Sequence, residues 1–315
     1  MIRSYITTSI FLFLLFLSCD VGSEKVQEID KPATRISLGE IESNQIEEAS
    51  GIAASRINEG ILWTHNDSGG ERKIYALSTE AKVIGYIKLP DAPVEDWEDI
   101  CIGPGPIDDT DYIYIAETGD NPELREIKHI IRFKEPKLLN TADEFELTNE
   151  NYELITFRFP DRIHDCEAIM IDPLSKDIYL VSKRSPLANV YKLSYPQSTA
   201  DTITADFVQT LPIGEKRTNS IASRVCASDI SRSGDRILIK TYDSVFYFGK
   251  SPNVPLEDAF KAKPVALEYF PEPQGEAICF TPDGEGYYTL SERSKFDIIQ
   301  NLYYYNLKNV ELHGR

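Results

Sequence analysis

Carboxylates, histidines and basic residues recur in this chain at matched distances from short apolar runs. One set opens an apolar segment: Asp96-Trp97-Glu98-Asp99-Ile100, His164-Asp165-Cys166-Glu167-Ala168-Ile169 and Gln274-Gly275-Glu276-Ala277-Ile278. Ser50-Gly51-Ile52 and Ser228-Asp229-Ile230 read as further copies. A second set closes an aromatic or aliphatic segment: His65-Asn66-Asp67, Glu117 with Asp120, Lys183-Arg184, Tyr242-Asp243 and Glu292-Arg293. Carboxylates brought together repel, and a hard cation held by oxygen ligands relieves them. Calcium is the expected ion, with Asp96, Glu98, Glu117, Asp120, Glu167 and Glu276 as ligand candidates. His65, His164 and Glu167 are the candidates for moving protons near neutral pH. Asn66, Asp67, Lys183, Arg184, Tyr242 and Arg293 are the candidates for holding a substrate, the basic ones suiting an anionic group. Together these types describe metal-assisted hydrolysis of an anionic ester. Each motif also has a plainer role, as a turn, a solvated carboxylate or a structural hydrogen bond. Those roles do not explain why the motifs recur at matched positions.

The elements that must position these residues repeat five times. After each opening motif comes a turn, as at Asp172-Pro173, Ser233-Gly234-Asp235 and Pro282-Asp283-Gly284. A second strand follows, at 61–67, 112–121, 178–184, 237–243 and 287–293. Third strands are expected at 74–77, 130–133, 190–193, 245–248 and 302–307. Weaker fourth strands are expected at 83–89, 154–159, 207–211 and 265–270. Four-stranded units repeated around a ring make an all-β propeller. The last unit lacks a fourth strand of its own, and 34–38 is expected to supply it and close the ring, which removes exposed edges. Five blades are visible; 135–151 and 212–224 leave room for a sixth. The first two strands of a blade run antiparallel, so the start of one and the end of the other share a face. Both sets of polar residues are therefore expected on one face, near the axis.

The chain has 315 residues and a formal net charge of −18. That acidity excludes a basic nucleic-acid footprint. The 17 tyrosines and 14 phenylalanines favour strands. Residues 10–17 are an apolar run, too short to span a bilayer, and read as the core of a signal peptide. Ser18-Cys19 follows directly, and the segment resembles a bacterial lipoprotein signal. That resemblance implies acylation of Cys19, a membrane anchor, and a place in the bacterial cell envelope facing the periplasm or the surface. The expected organisation is a signal at 1–18, a tether at 19–33 and one propeller domain at 34–315, acting as a monomer. Cys101, Cys166, Cys226 and Cys279 lie among apolar residues of inner strands and are expected to be buried free thiols.

Trp63-Thr64-His65-Asn66-Asp67-Ser68-Gly69, Asp96-Trp97-Glu98-Asp99-Ile100, Gly119-Asp120-Asn121, His164-Asp165-Cys166-Glu167-Ala168 and Pro273-Gln274-Gly275-Glu276-Ala277-Ile278 resemble a family of bacterial propeller lipoproteins. That resemblance implies the fold but no particular activity. Gly275-Glu276-Ala277-Ile278 followed by Pro282-Asp283-Gly284 is more distantly similar to phytase-like and lactonase-like propellers, which implies calcium on the axis. Two further function classes fit the same residues. One is a non-catalytic propeller that binds a small molecule, glycan, peptide or protein. The other is a glycan-cleaving enzyme using paired carboxylates; with only Trp63 and Trp97, the chain offers little aromatic platform for a sugar.

Overall fold

Each of the five repeats folds into an antiparallel meander, counted outward from the axis. Blade 1 is Ala49–Ala54, Ile61–Asn66, Lys73–Ser78 and Val83–Lys88. Blade 2 is Trp97–Pro104, Asp111–Glu117, Lys128–Lys134 and Glu153–Arg158. Blade 3 is Cys166–Ile171, Ile178–Ser182, Asn189–Leu193 and Asp206–Thr210. Blade 4 is Val225–Ile230, Arg236–Thr241, Val245–Gly249 and Val265–Leu267. Blade 5 is Gly275–Phe280, Gly286–Ser291 and Asn301–Asn306, completed by Arg35–Glu40 from the start of the domain. The protein is thus a five-bladed β-propeller closed by its N-terminal strand. This computed structural model describes residues 35–67, 71–139, 145–184, 186–214, 220–251, 254–293 and 299–308. The signal segment, Cys19, the tether and Thr34 lie outside them. Among the described residues, no helix is long and apolar enough to cross a membrane.

Five apolar layers hold the ring, one between each pair of neighbouring blades. Trp63, Ile74, Ile113 and Phe133 fill the layer between blades 1 and 2. Ile155, Phe157, Leu180 and Tyr191 lie between blades 2 and 3, and Val190, Ile237, Ile239 and Phe248 between blades 3 and 4. Leu238, Tyr247, Tyr287 and Tyr305 join blades 4 and 5. Leu62, Tyr75, Leu290 and Leu302 join blades 5 and 1, so closure buries apolar surface as well as strand edges. Burial of one such side chain stabilises by about 1.5–3 kcal/mol. Each inner strand packs against the inner strands of both neighbours. Small residues on the inner strands, such as Ala53, Ala168, Ala227 and Ala277, pack into these layers. At Gly51 a Cβ would lie 2.7 Å from the backbone nitrogen of Ile100.

No sixth blade forms among the described residues. In the stretch 135–151, Leu138 packs into the layer between blades 1 and 2. Phe145–Thr148 then adds a parallel strand to the outer edge of blade 1. In the stretch 212–224, Ile213 enters the layer between blades 3 and 4, and Ile221–Ser223 makes one 3-10 turn. Cys101, Cys166, Cys226 and Cys279 are free and buried.

Candidate functional site at the channel mouth

A β-bulge recurs at one position in all five blades. The ladder between inner and second strand slips between Ala49 and Gly51, Trp97 and Ile100, Cys166 and Ala168, Val225 and Ala227, and Gly275 and Ala277. The residue that leaves the ladder is Ser50, Glu98 (with Asp99), Glu167, Cys226 or Glu276. A bulge re-aims a side chain without breaking the sheet. Three of the five blades thus present a glutamate at the same structural position. The fourth repeat needs a correction: Cys226, not Ser228, stands where Glu98, Glu167 and Glu276 stand. A two-residue slip preserves which side of a strand faces the axis, so the sequence pattern cannot detect it.

The glutamates meet aspartates from the ends of neighbouring segments. Carboxylate oxygens of Asp67, Asp96 and Glu98 lie within 4.8 Å of one another, as do those of Glu98, Asp165 and Glu167, and those of Asp67, Glu276 and Glu292. Glu98 is only 3% exposed, yet its carboxylate has no hydrogen-bond or ion-pair partner among the described residues. Burial, with Glu167 and Asp67 nearby, pushes its pKa well above the usual range. The half-buried Asp96 carboxylate likewise has no hydrogen-bond partner among the described residues, and burial and Asp165 raise its pKa. Glu292 is raised to about 8 by burial, Glu276 and Asp67. The opposite side of the ring is balanced from within. Lys183 pairs with Glu167 and lies 5.3 Å from the centre of the Tyr242 ring. Tyr242 donates to Glu276 Oε1 at 2.6 Å. Burial pulls the Lys183 pKa down, but Glu167, Tyr242 and Glu98 hold it above the ordinary value, so it stays charged.

Gly119 makes room for the unpaired side. A Cβ there would overlap the Glu98 carboxylate and lie 2.5 Å from the Asp96 carboxyl carbon. The ligand candidates read from the sequence omit Asp165, Glu292 and this glycine; all three sit in the same motifs, but their convergence depends on the ring.

Other candidates occupy different surroundings. Glu117 accepts from Arg125 at 2.8 Å and from the Asp96 amide at 3.2 Å. Asp120 pairs with the buried Lys128 at 2.9 Å; burial opposes it, but the Leu124 amide and Lys128 hold its carboxyl below the usual range. Asp165 accepts from Arg184 Nε at 2.6 Å and the Asp120 amide at 2.8 Å. Asn66 and Arg293 bind the loop before blade 1: Asn66 accepts from the Glu47 and Glu48 amides, and Arg293 donates to Asn44 at 2.7 Å. His65 is fully buried, edge-on to Trp97, with Nδ1 2.9 Å from the Asn66 carbonyl oxygen. Burial lowers its pKa to about 4, so it is neutral at pH 7. His164 turns away from the axis, its Nε2 2.6 Å from Tyr191 Oη and 3.1 Å from Asp161. Burial lowers its pKa too, against the pull of Asp161.

Below the mouth, two aspartates staple blades across the channel. Asp99 accepts from the amides of Ile100 at 2.9 Å, Ile169 at 3.0 Å and Ser228 at 3.2 Å, joining blades 2, 3 and 4. Asp229 accepts from Ile230 and Phe280, each at 2.8 Å, joining blades 4 and 5. The sequence pattern groups both with the mouth residues; the structure places them in the channel as hydrogen-bond hubs.

No protein-family model matches the chain, and no curated protein does. Among solved structures it is similar to the PQQ-bound aldose sugar dehydrogenase from Streptomyces coelicolor, at 9% identity and a TM-score of 0.48, covering 87% of this chain and 99% of that one. It is also similar to a luciferin-regenerating enzyme, at 10% identity and a TM-score of 0.47, covering 89% of this chain and 98% of that one.

Proposed function

We propose that the protein is a calcium-dependent hydrolase of ester-type substrates, with Asp67, Asp96 and Glu98 holding the cation at the channel mouth. The observation that supports this most directly is Glu98, a buried carboxylate among other carboxylates with no hydrogen-bond or ion-pair partner among the described residues. A buried charge without a direct partner costs several kcal/mol, and Lys183 offsets the Glu98 charge only in part, since the Glu98 pKa stays well above the usual range; a proton or a cation belongs there. The donors are all oxygens, which suits calcium better than zinc or copper. When bound, the cation would supply Lewis-acid polarisation of a carbonyl or phosphoryl oxygen. Lys183 brings a fixed positive charge to the same well. Glu292 holds a proton near neutral pH and is the residue placed to deliver it. His65 is fully buried against Trp97 and His164 is bonded to Tyr191 and Asp161, so neither is needed in this scheme. Lys183, Arg184 and Arg293 are already engaged, so an anionic substrate group would rely on the cation for its countercharge.

A second reading, cation-dependent binding without chemistry, is favoured by the burial of both histidines. One titration addresses the shared step. Calorimetry should show one calcium site, with a Kd of about 10⁻⁴–10⁻³ M or tighter. Glu98→Gln should weaken it at least about 30-fold, and Gly119→Ala should do so by displacing Glu98 and Asp96. No binding at millimolar calcium ends both readings. Binding without chelator-sensitive turnover of aryl esters, phosphate esters or lactones leaves the second.

We also propose that Cys19 carries a lipid anchor at the bacterial cell envelope, as its signal-like context supports. The full-length protein should partition into the detergent phase of a Triton X-114 extraction, and Cys19→Ser should move it to the aqueous phase. Equal partitioning of the two would rule the anchor out.

A further inference from the structure

The other end of the channel has the opposite character. There, past the ends of the inner strands, a cavity of about 30 Å³ is lined by Arg56, Arg232, Asp229, Ile102, Phe280 and Thr281. Arg56 follows the inner strand of blade 1, and Arg232 follows that of blade 4. The two arginines therefore line the cavity from different sides of the ring. Arg56 Nη1 donates to Asp111 at 3.1 Å, and its side chain is 11% exposed. Its remaining N–H groups have no partner among the described residues. Arg232 is exposed and has no partner among the described residues either.

Asp111 takes one Arg56 donor; the other carboxylates nearby have partners of their own. Both oxygens of Asp229 accept backbone amides, from Ile230 and Phe280. Asp235 accepts from Arg236, Ser231 and Ser233. Asp283 accepts from Thr281 and the Glu285 amide. The cavity lining therefore combines two arginines with unused N–H donors, an aspartate whose oxygens are already taken, and an apolar wall. Guanidinium forks match the geometry of carboxylate and phosphate oxygens. The cavity has room for about two waters, so only the oxygens of an oxyanion would enter it and the rest of a ligand would stay in solvent.

We infer that this second mouth is a binding site for a small oxyanion, a carboxylate or phosphate group, gripped by Arg56 and Arg232. It is independent of the cation site at the first mouth. The alternative role for Arg56 is to offset the Asp229 charge alone, which would leave Arg232 without a part.

The test is a titration of the protein with sodium phosphate, and separately sodium acetate, at constant ionic strength set by sodium chloride. Calorimetry and melting temperature are read together. Saturable binding of at least one probe is expected, with a rise in Tm that chloride does not reproduce. A response to phosphate alone or to acetate alone identifies which oxyanion fits. Arg232→Gln should abolish the response and leave the Tm without anion unchanged, because Arg232 is exposed. Arg56→Lys should weaken binding about tenfold, because lysine cannot make the fork. Glu98→Gln should bind the anion as the wild type does, which separates this site from the calcium reading. A response matched by chloride, or one unaltered in Arg232→Gln, overturns the inference.

Discussion

Asp99→Ala is expected to lower the unfolding free energy by about 3–6 kcal/mol, more than any surface change in this protein. Three buried amides, from Ile100, Ile169 and Ser228, would lose their acceptor at once. Each buried donor left unpaired costs roughly 1–3 kcal/mol. Little else can replace the carboxylate, because the three donors come from three blades and converge at the axis. At this chain size, 1 kcal/mol corresponds to about 2–4 °C in Tm. Asp99→Asn should cost less than alanine, since one oxygen remains to accept. Denaturant titration of the three proteins checks this. Equal stability of Asp99→Ala and wild type would mean that the inner strands are held by their apolar layers alone.

The second large effect is a dependence of stability on pH that calcium reverses. Burial raises Asp229 to about 7, and burial with Glu276 and Asp67 raises Glu292 to about 8. Glu98, Glu167 and Asp99 are shifted upward as well, chiefly by burial. A carboxyl raised in the folded state binds its proton more tightly there than in the unfolded chain. Its contribution is full below the unfolded value, near 4, and is lost as pH rises through the folded value. Without divalent cations, the protein should therefore be more stable near pH 5 than near pH 8.5. Asp120 has the opposite shift, and its contribution disappears only on acidification below about pH 4. A cation competes with protons for the ionised carboxylates. Calcium should thus raise Tm strongly at pH 8.5 and little at pH 5, and Glu98→Gln should lose that gain. Thermal melts at both pH values, with calcium or with chelator, test the sign. A chelated protein that is more stable at pH 8.5 would show that the mouth carboxylates do not govern its stability.

Residue types and spacing alone determined much of this protein. Repeated apolar runs with turn residues between them indicate four-stranded units, because a strand has a period of two and turns need Gly, Pro, Asp and Asn. An incomplete last unit and a spare first strand indicate closure, and Arg35–Glu40 does pair with Asn301–Asn306. Matched polar positions put Glu98, Glu167 and Glu276 at one end of the axis. The rest depends on the ring. Whether Cys226 or Ser228 matches Glu98 is invisible in a pattern of period two, and only the position of the bulge decides it. Which carboxylates are paired depends on which cation a neighbouring element brings: Lys128 reaches Asp120, Lys183 reaches Glu167, and nothing described reaches Glu98. His164 has the motif context of a site residue, yet its ring points at Tyr191, because the side of the blade it faces is set by packing. Local sequence specifies strand, turn and alternation; partnership across blades is a long-range property that exists only once the ring has closed.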